Sequence, residues 1–143
     1  MLNEETLQAV RLISDNLLYP EAVTFVNEND VPEDSQLTGL LEYSRQNDDL
    51  MRFIKRQEDR DWTGKKEHYK TFYRSLDSYL NNLRKKCKDE FDLVPADLGR
   101  TETKERVNEV STLLAQEYIT HLVAEALLKN AKERRNRKRG ERT

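Results

Sequence analysis

Apolar residues recur at three- and four-residue steps along most of this chain, and that spacing predicts helices. The clearest run follows Lys65: Tyr69, Phe72, Tyr73, Leu76, Leu80, Leu83 and Cys87 line one stripe of a helix about six turns long. A second long run carries Val107, Val110, Leu114, Tyr118 and His121 on one stripe and Ala115, Ile119, Leu122 and Ala126 on the next. An apolar arc this wide exceeds what a surface helix needs, which predicts a central position for the last helix. Its pattern fades after Leu128.

The first half is less regular. Asn3 suits an N-cap, with Glu4 and Glu5 in the first turn and Leu7, Val10, Ile13, Leu17 and Leu18 behind them. That helix is expected to end near Leu18, and Pro20 to start a short second one through Ala22, Val23 and Val26. NENDVPEDS breaks the pattern; Asp34 or Ser35 then caps a segment with Leu37, Leu40 and Leu41, and Asn47 caps another with Leu50, Phe53, Ile54 and Gln57. Gly64 closes this half. DEFDLVPADLGR is the one real linker, after which Thr101 or Thr103 caps the last helix.

Composition agrees with a helical reading. Four Gly and three Pro in 143 residues are too few for the frequent turns of a sheet protein, and 36% apolar with 36% charged residues suits helices that bury one stripe and wet the rest. The expected fold is all-α: a single-domain bundle of about five helices over residues 1–128, with a long central C-terminal helix and a basic extension over 129–143. The acidic start, MLNEETLQAV, has no apolar signal core, no stretch reaches membrane-spanning length, and the lone Cys87 excludes an internal disulfide, so a cytoplasmic protein is expected.

Charge changes the picture more. Residues 129–143 hold eight Lys or Arg against two Glu, whereas residues 1–63 carry fourteen acids and six bases and residues 64–128 balance at eleven of each. Such a gradient points to polyanion binding or head-to-tail assembly, with plain solubility as the simpler explanation. Projected at 100° per residue, Lys66, Lys70, Arg74, Arg84 and Lys88 share one stripe of the long helix, interrupted by Asp77. It runs about 33 Å, long enough to follow a phosphate backbone.

The tail admits three explanations. A solvated helix end needs only a charge or two in the last turn, and a membrane anchor needs interleaved Trp, Phe or Leu, which are missing beyond Leu128. A nucleic-acid arm needs only dense Lys and Arg, here Lys129, Lys132, Arg134, Arg135, Arg137, Lys138 and Arg139. Contact through such an arm is expected to be independent of sequence, with either RNA or DNA, because nothing offers a groove-reading motif.

Catalytic signals are sparse. The four glycines lie too far apart for a phosphate-cradling loop, two His and one Cys cannot close a zinc site, and no Ser occupies a nucleophile elbow. Glu117 and His121 share a helix face and could touch a metal, but a partly buried histidine bonded one turn back explains them more simply. Cys87 continues an apolar stripe and is expected to be a small core residue. No enzyme activity and no cofactor are expected. Trp62, the lone tryptophan, either plugs a helix junction or serves a partner interface or base-stacking platform.

The order QLTGLLEYSRQ, LMRFIKRQEDRDW, HYKTFYRSLDSYLNNLRKKC, in a small helical chain without catalytic residues, resembles the small helical subunits of type III CRISPR RNA-guided effector complexes over residues 35–88. The resemblance implies a non-enzymatic subunit of an antiviral ribonucleoprotein, stacked in several copies, with basic side chains near guide and target strands. The acidic first half departs from a simple nucleic-acid binder, and acidic-to-basic stacking of successive copies would account for it. A protein-interaction adaptor whose tail grips an acidic partner is the alternative.

Overall fold

The computed structural model describes residues 2–46 and 50–141. The chain forms α1 (Glu4–Ile13), a π-helical turn (Ser14–Leu18), α2 (Tyr19–Glu28), α3 (Asp34–Gln46), α4 (Leu50–Asp59), a 3₁₀ turn (Gly64–Lys66), α5 (Glu67–Asp89) and α6 (Arg100–Glu141), with no strand among the described residues. Because the π turn joins α1 to α2 without a break, these make five rods: an all-α bundle with a long C-terminal helix. The expected cap at Asn47 lies outside the described residues.

Asn3 caps α1 as its sequence predicts, Oδ1 accepting from the Thr6 N–H at 2.8 Å. The break expected near Leu18 does not occur. Pro20 has no N–H to donate and its ring crowds the carbonyl one turn back, but the wider π turn, in which the Tyr19 N–H reaches Ser14 O, lets the rod continue. α2 ends at Glu28, where the Asn29 side chain donates back to Phe25 O at 2.9 Å. α6 begins at Arg100, ahead of both threonines expected to cap it; the Thr103 N–H already bonds Gly99 O at 2.9 Å, so Thr103 sits inside the first turn. Gly64 has φ +68°, a left-handed conformation that suits a residue without Cβ and turns the chain from α4 into α5.

Contacts between distant residues set the topology. Thr6 meets Arg106, Ser14 meets His121 and Val26 meets Lys129, so the α1–α2 rod runs parallel to α6. Asp34 meets Asn130 while Ser44 meets Gln116, so α3 returns antiparallel. α4 turns again, and α5 descends beside it with Arg84 reaching Asn108 and Ser111 of α6. α6 packs against α1, the π turn, α2, α3 and α5, the central place that its wide apolar arc predicts. Tyr118, Ile119, Leu122 and Ala126 are fully buried there, and Cys87 joins the same core. No helix among the described residues is long and apolar enough to cross a membrane.

At 42 residues α6 is about 63 Å long, well beyond the rest of the bundle. Its contacts with the body do not stop at Leu128. Lys129, Asn130 and Arg134 bond the end of α2, the connection after it and the start of α3, so the part of α6 that projects free of those bonds begins after Arg134, six residues beyond the expected boundary.

Candidate nucleic-acid interface

The proposed interface combines α5 and the end of α6, and the antiparallel course of these two helices brings the start of one beside the end of the other. Lys66, His68, Arg134 and Arg137 line one cleft of about 570 Å³, together with Glu33 and Glu133. Local chemistry shapes its floor. The Tyr69 hydroxyl accepts from the Glu33 N–H at 3.0 Å, which satisfies an orphan donor at the start of α3 and ties the α2–α3 connection to α5. Asp34, in the first turn of α3, accepts from Asn130 Nδ2 at 3.0 Å and from Arg134 Nη1 at 3.1 Å. With Asp34 so occupied, Lys66 and Arg137 remain as cations facing the two glutamates of the cleft.

The basic stripe predicted on α5 is divided. Lys66 and Lys70 are exposed at its upper end. Arg74 is exposed but forms an ion pair with Glu58 of α4 at 3.6 Å, and Lys55 reaches the same carboxylate at 3.4 Å. Glu58 has only 12% of its side chain exposed, so these cations compensate a charge drawn out of water. Burial, and then the nearby Glu58 charge, push the Asp77 carboxyl above its ordinary pKa, while the hydrogen bond from Lys55 to Glu58 raises the Lys55 ammonium. Arg84 turns toward α6, where its guanidinium donates to Ser111 Oγ at 3.2 Å and to Asn108 Oδ1. It lines a larger cleft of about 1010 Å³ at the opposite end of the bundle and does not continue the track of Lys66 and Lys70. Lys88 is exposed near that end, in the last turn of α5, where positive charge favours the helix dipole.

The tail residues divide as well. Lys129 Nζ donates to Val26 O and Asn29 O, both at 2.9 Å, and so caps the carbonyl end of α2. Its charge is held by the fold. Arg134 is shared between Asp34 and the cleft, whereas Lys132, Arg135, Arg137, Lys138 and Arg139 are exposed. Arg142 lies outside the described residues. Sequence spacing passed over Asn130, whose amide bonds Pro32 O and Asp34 only because α6 passes the α2–α3 connection, and over His68, which lines the same cleft.

Trp62 sits at the α4–α5 junction. Its Nε1 donates to Gln57 O at 2.6 Å, and its ring meets Tyr69 edge-on at 5.0 Å and lies nearly parallel to Tyr73 at 6.5 Å. The Arg60 guanidinium lies over the indole, 4.6 Å from the ring centroid, an interaction worth about 0.5–1 kcal/mol at an exposed site. Burial raises the Tyr73 hydroxyl to about 12, so it stays protonated at neutral pH; Gln36 Nε2 bonds its oxygen at 2.7 Å.

Glu117 and His121 do not pair. His121 Nε2 instead lies 2.8 Å from Ser14 Oγ, and its ring is edge-on to Tyr19, whose hydroxyl donates to Glu125 Oε1 at 3.3 Å. The histidine thus secures the π turn against α6. No group of three or more His, Cys, Asp or Glu gathers in metal-ligand geometry among the described residues. Cys87 is buried, its thiol pushed up to about 11 by burial. Comparison with protein-family models, with curated proteins and with solved structures gives no match.

Proposed function

We propose that this chain is a non-enzymatic structural subunit that holds a nucleic-acid backbone, without regard to sequence, and joins protein neighbours in a ribonucleoprotein. The observation that carries this is the meeting of two basic elements at one end of the bundle. Lys66, at the end of the 3₁₀ turn that leads into α5, and Arg137 of α6 share a cleft, with Lys70 on α5 and Arg135, Lys138 and Arg139 on the projecting helix. Exposed cations spaced along a rigid helix suit a chain of phosphates, because each neutralised phosphate releases a condensed counterion. The resemblance of residues 35–88 to small CRISPR effector subunits favours RNA and a cytoplasmic ribonucleoprotein of that kind.

An adaptor without nucleic acid would rest on the exposed Leu12, Tyr19 and Leu128. Single exposed apolar residues are ordinary on soluble proteins, and Tyr19 is already bonded to Glu125, so the adaptor ranks second.

The test is binding of labelled single-stranded RNA across a salt series. The variants are a chain ending at Arg134, which keeps the bonds to the α2–α3 connection, and Lys66→Ala/Lys70→Ala. Each should flatten the plot of log affinity against log salt by about 0.7 for every phosphate that the variant no longer neutralises. Arg84→Ala should leave that slope unchanged, since its guanidinium is engaged with α6. Absence of binding at low salt by the folded protein, or a slope indifferent to both variants, overturns the proposal.

A further inference from the structure

The indole of Trp62 packs against two core tyrosines and has a surface cation over its ring. Tyr69 and Tyr73 are both buried, the latter completely, and the Nε1 bond to Gln57 O fixes the ring in its plane. The group over the ring that belongs to the surface is Arg60, exposed at the end of α4. A guanidinium on an indole face marks a position that a flat π system can also occupy, and a base stacked there contributes more than an exposed cation does. Arg60 lies just beyond the last residue of α4, on the segment leading to Gly64.

The surroundings suit a nucleotide. Lys66 Nζ lies 5.9 Å from the Tyr69 ring centroid, and Tyr69 in turn touches Trp62, so a cation stands within one side chain of the indole. Lys66 and Tyr69 also line the cleft that contains Arg137. The indole and this cleft of mixed charge therefore lie on either side of Tyr69. A phosphate held by Lys66 would thus stand one side chain away from Trp62.

We propose that Trp62 is a stacking platform for one unpaired base of single-stranded nucleic acid, with Arg60 as a displaceable cover that swings from the indole to a flanking phosphate when the base arrives. This rests on the nucleic-acid reading above and narrows it from any nucleic-acid backbone to strands with accessible bases. A base-paired duplex has no free base face to offer at this position.

Trp62 is the chain's single tryptophan, so its emission reports this site alone. The protein is titrated with fluorescein-labelled oligoadenylate and with an abasic ribose-phosphate strand of the same length and label, following label anisotropy and tryptophan emission together. Oligoadenylate is expected to quench the emission along the same curve as the anisotropy, while the abasic strand raises the anisotropy without quenching. Trp62→Leu should weaken oligoadenylate binding roughly tenfold and leave the abasic strand's affinity unchanged, which also shows that the variant is folded. Anisotropy that rises with no quench, or with the same quench for both strands, overturns the stacking platform and leaves the backbone-binding reading standing. Failure of both strands to bind overturns that reading as well.

Discussion

Lys129 stands first in a run of eight basic residues, yet its ammonium is bonded to two backbone carbonyls, Val26 O and Asn29 O. A charged donor on carbonyls that otherwise lack a partner belongs to stability. Lys129→Ala should lower the unfolding free energy by about 1–3 kcal/mol in urea denaturation and leave the salt dependence of the proposed RNA binding as it was. Exposed Arg135 and Arg139, a few residues on, should do the reverse. Cys87 gives a prediction of a different sort. Burial pushes its thiol up from an ordinary value of 9.0 to about 11 in the fold. Between those values the unfolded chain releases a proton that the folded chain keeps, so stability falls as pH rises from about 9 toward 11. Tyr73, raised from 10.0 to about 12, extends the decline. Urea midpoints measured across that range should drop, and Cys87→Ala should make the early part of the drop shallower. At neutral pH the buried thiol should react with a thiol reagent only as the protein unfolds.

At the scale of elements, the π turn and the far end of α6 are where local rules and tertiary contacts part. Pro20 reads as a helix start, and it does open α2, but the turn before it keeps α1 and α2 in one rod because Ser14, Leu18 and Tyr19 are all drawn onto α6. The last helix shows the opposite effect. Apolar periodicity fades after Leu128, which marks the end of the hydrophobic stripe but not of the docked helix. Ending the chain at Leu128 removes the bonds of Lys129, Asn130 and Arg134 and should cost at least about 2 kcal/mol of stability, whereas ending it at Arg134 should leave the melting temperature nearly unchanged. Thermal melts of the two truncated chains followed by circular dichroism distinguish these outcomes. A loss of RNA binding in the shorter chain alone would report damage to the fold and nothing about phosphate contacts.

Across the whole molecule, a single buried cluster joins residues from all five rods, from Val10 and Leu18 through Leu37, Ile54 and Leu76 to Leu122. One continuous core predicts one cooperative transition. Circular dichroism, which follows all the helices, and tryptophan emission, which follows the α4–α5 junction, should give coincident unfolding curves. Leu122→Ala, at the centre of α6, should shift both together by about 2–5 kcal/mol. Separate transitions would mean that the α4–α5 hairpin unfolds independently of α6.

The sequence by itself determined the helical class, the apolar stripes of α5 and α6, the central place of α6 and the position of the cap at Asn3. Each depends on the spacing of residue types within one element, and the helical repeat reads that spacing locally. Only the tertiary structure decided which charges are occupied. Lys129, Arg84, Arg134 and Arg74 look like their neighbours in a projected stripe, but each meets its partner on another element: Val26 and Asn29, Asn108 and Ser111, Asp34, and Glu58 respectively. Nothing in a helical projection records what the next helix places opposite a side chain. The same holds for the cleft between Lys66 and Arg137, whose residues are far apart in the chain and meet because α5 and α6 run in opposite directions around one core.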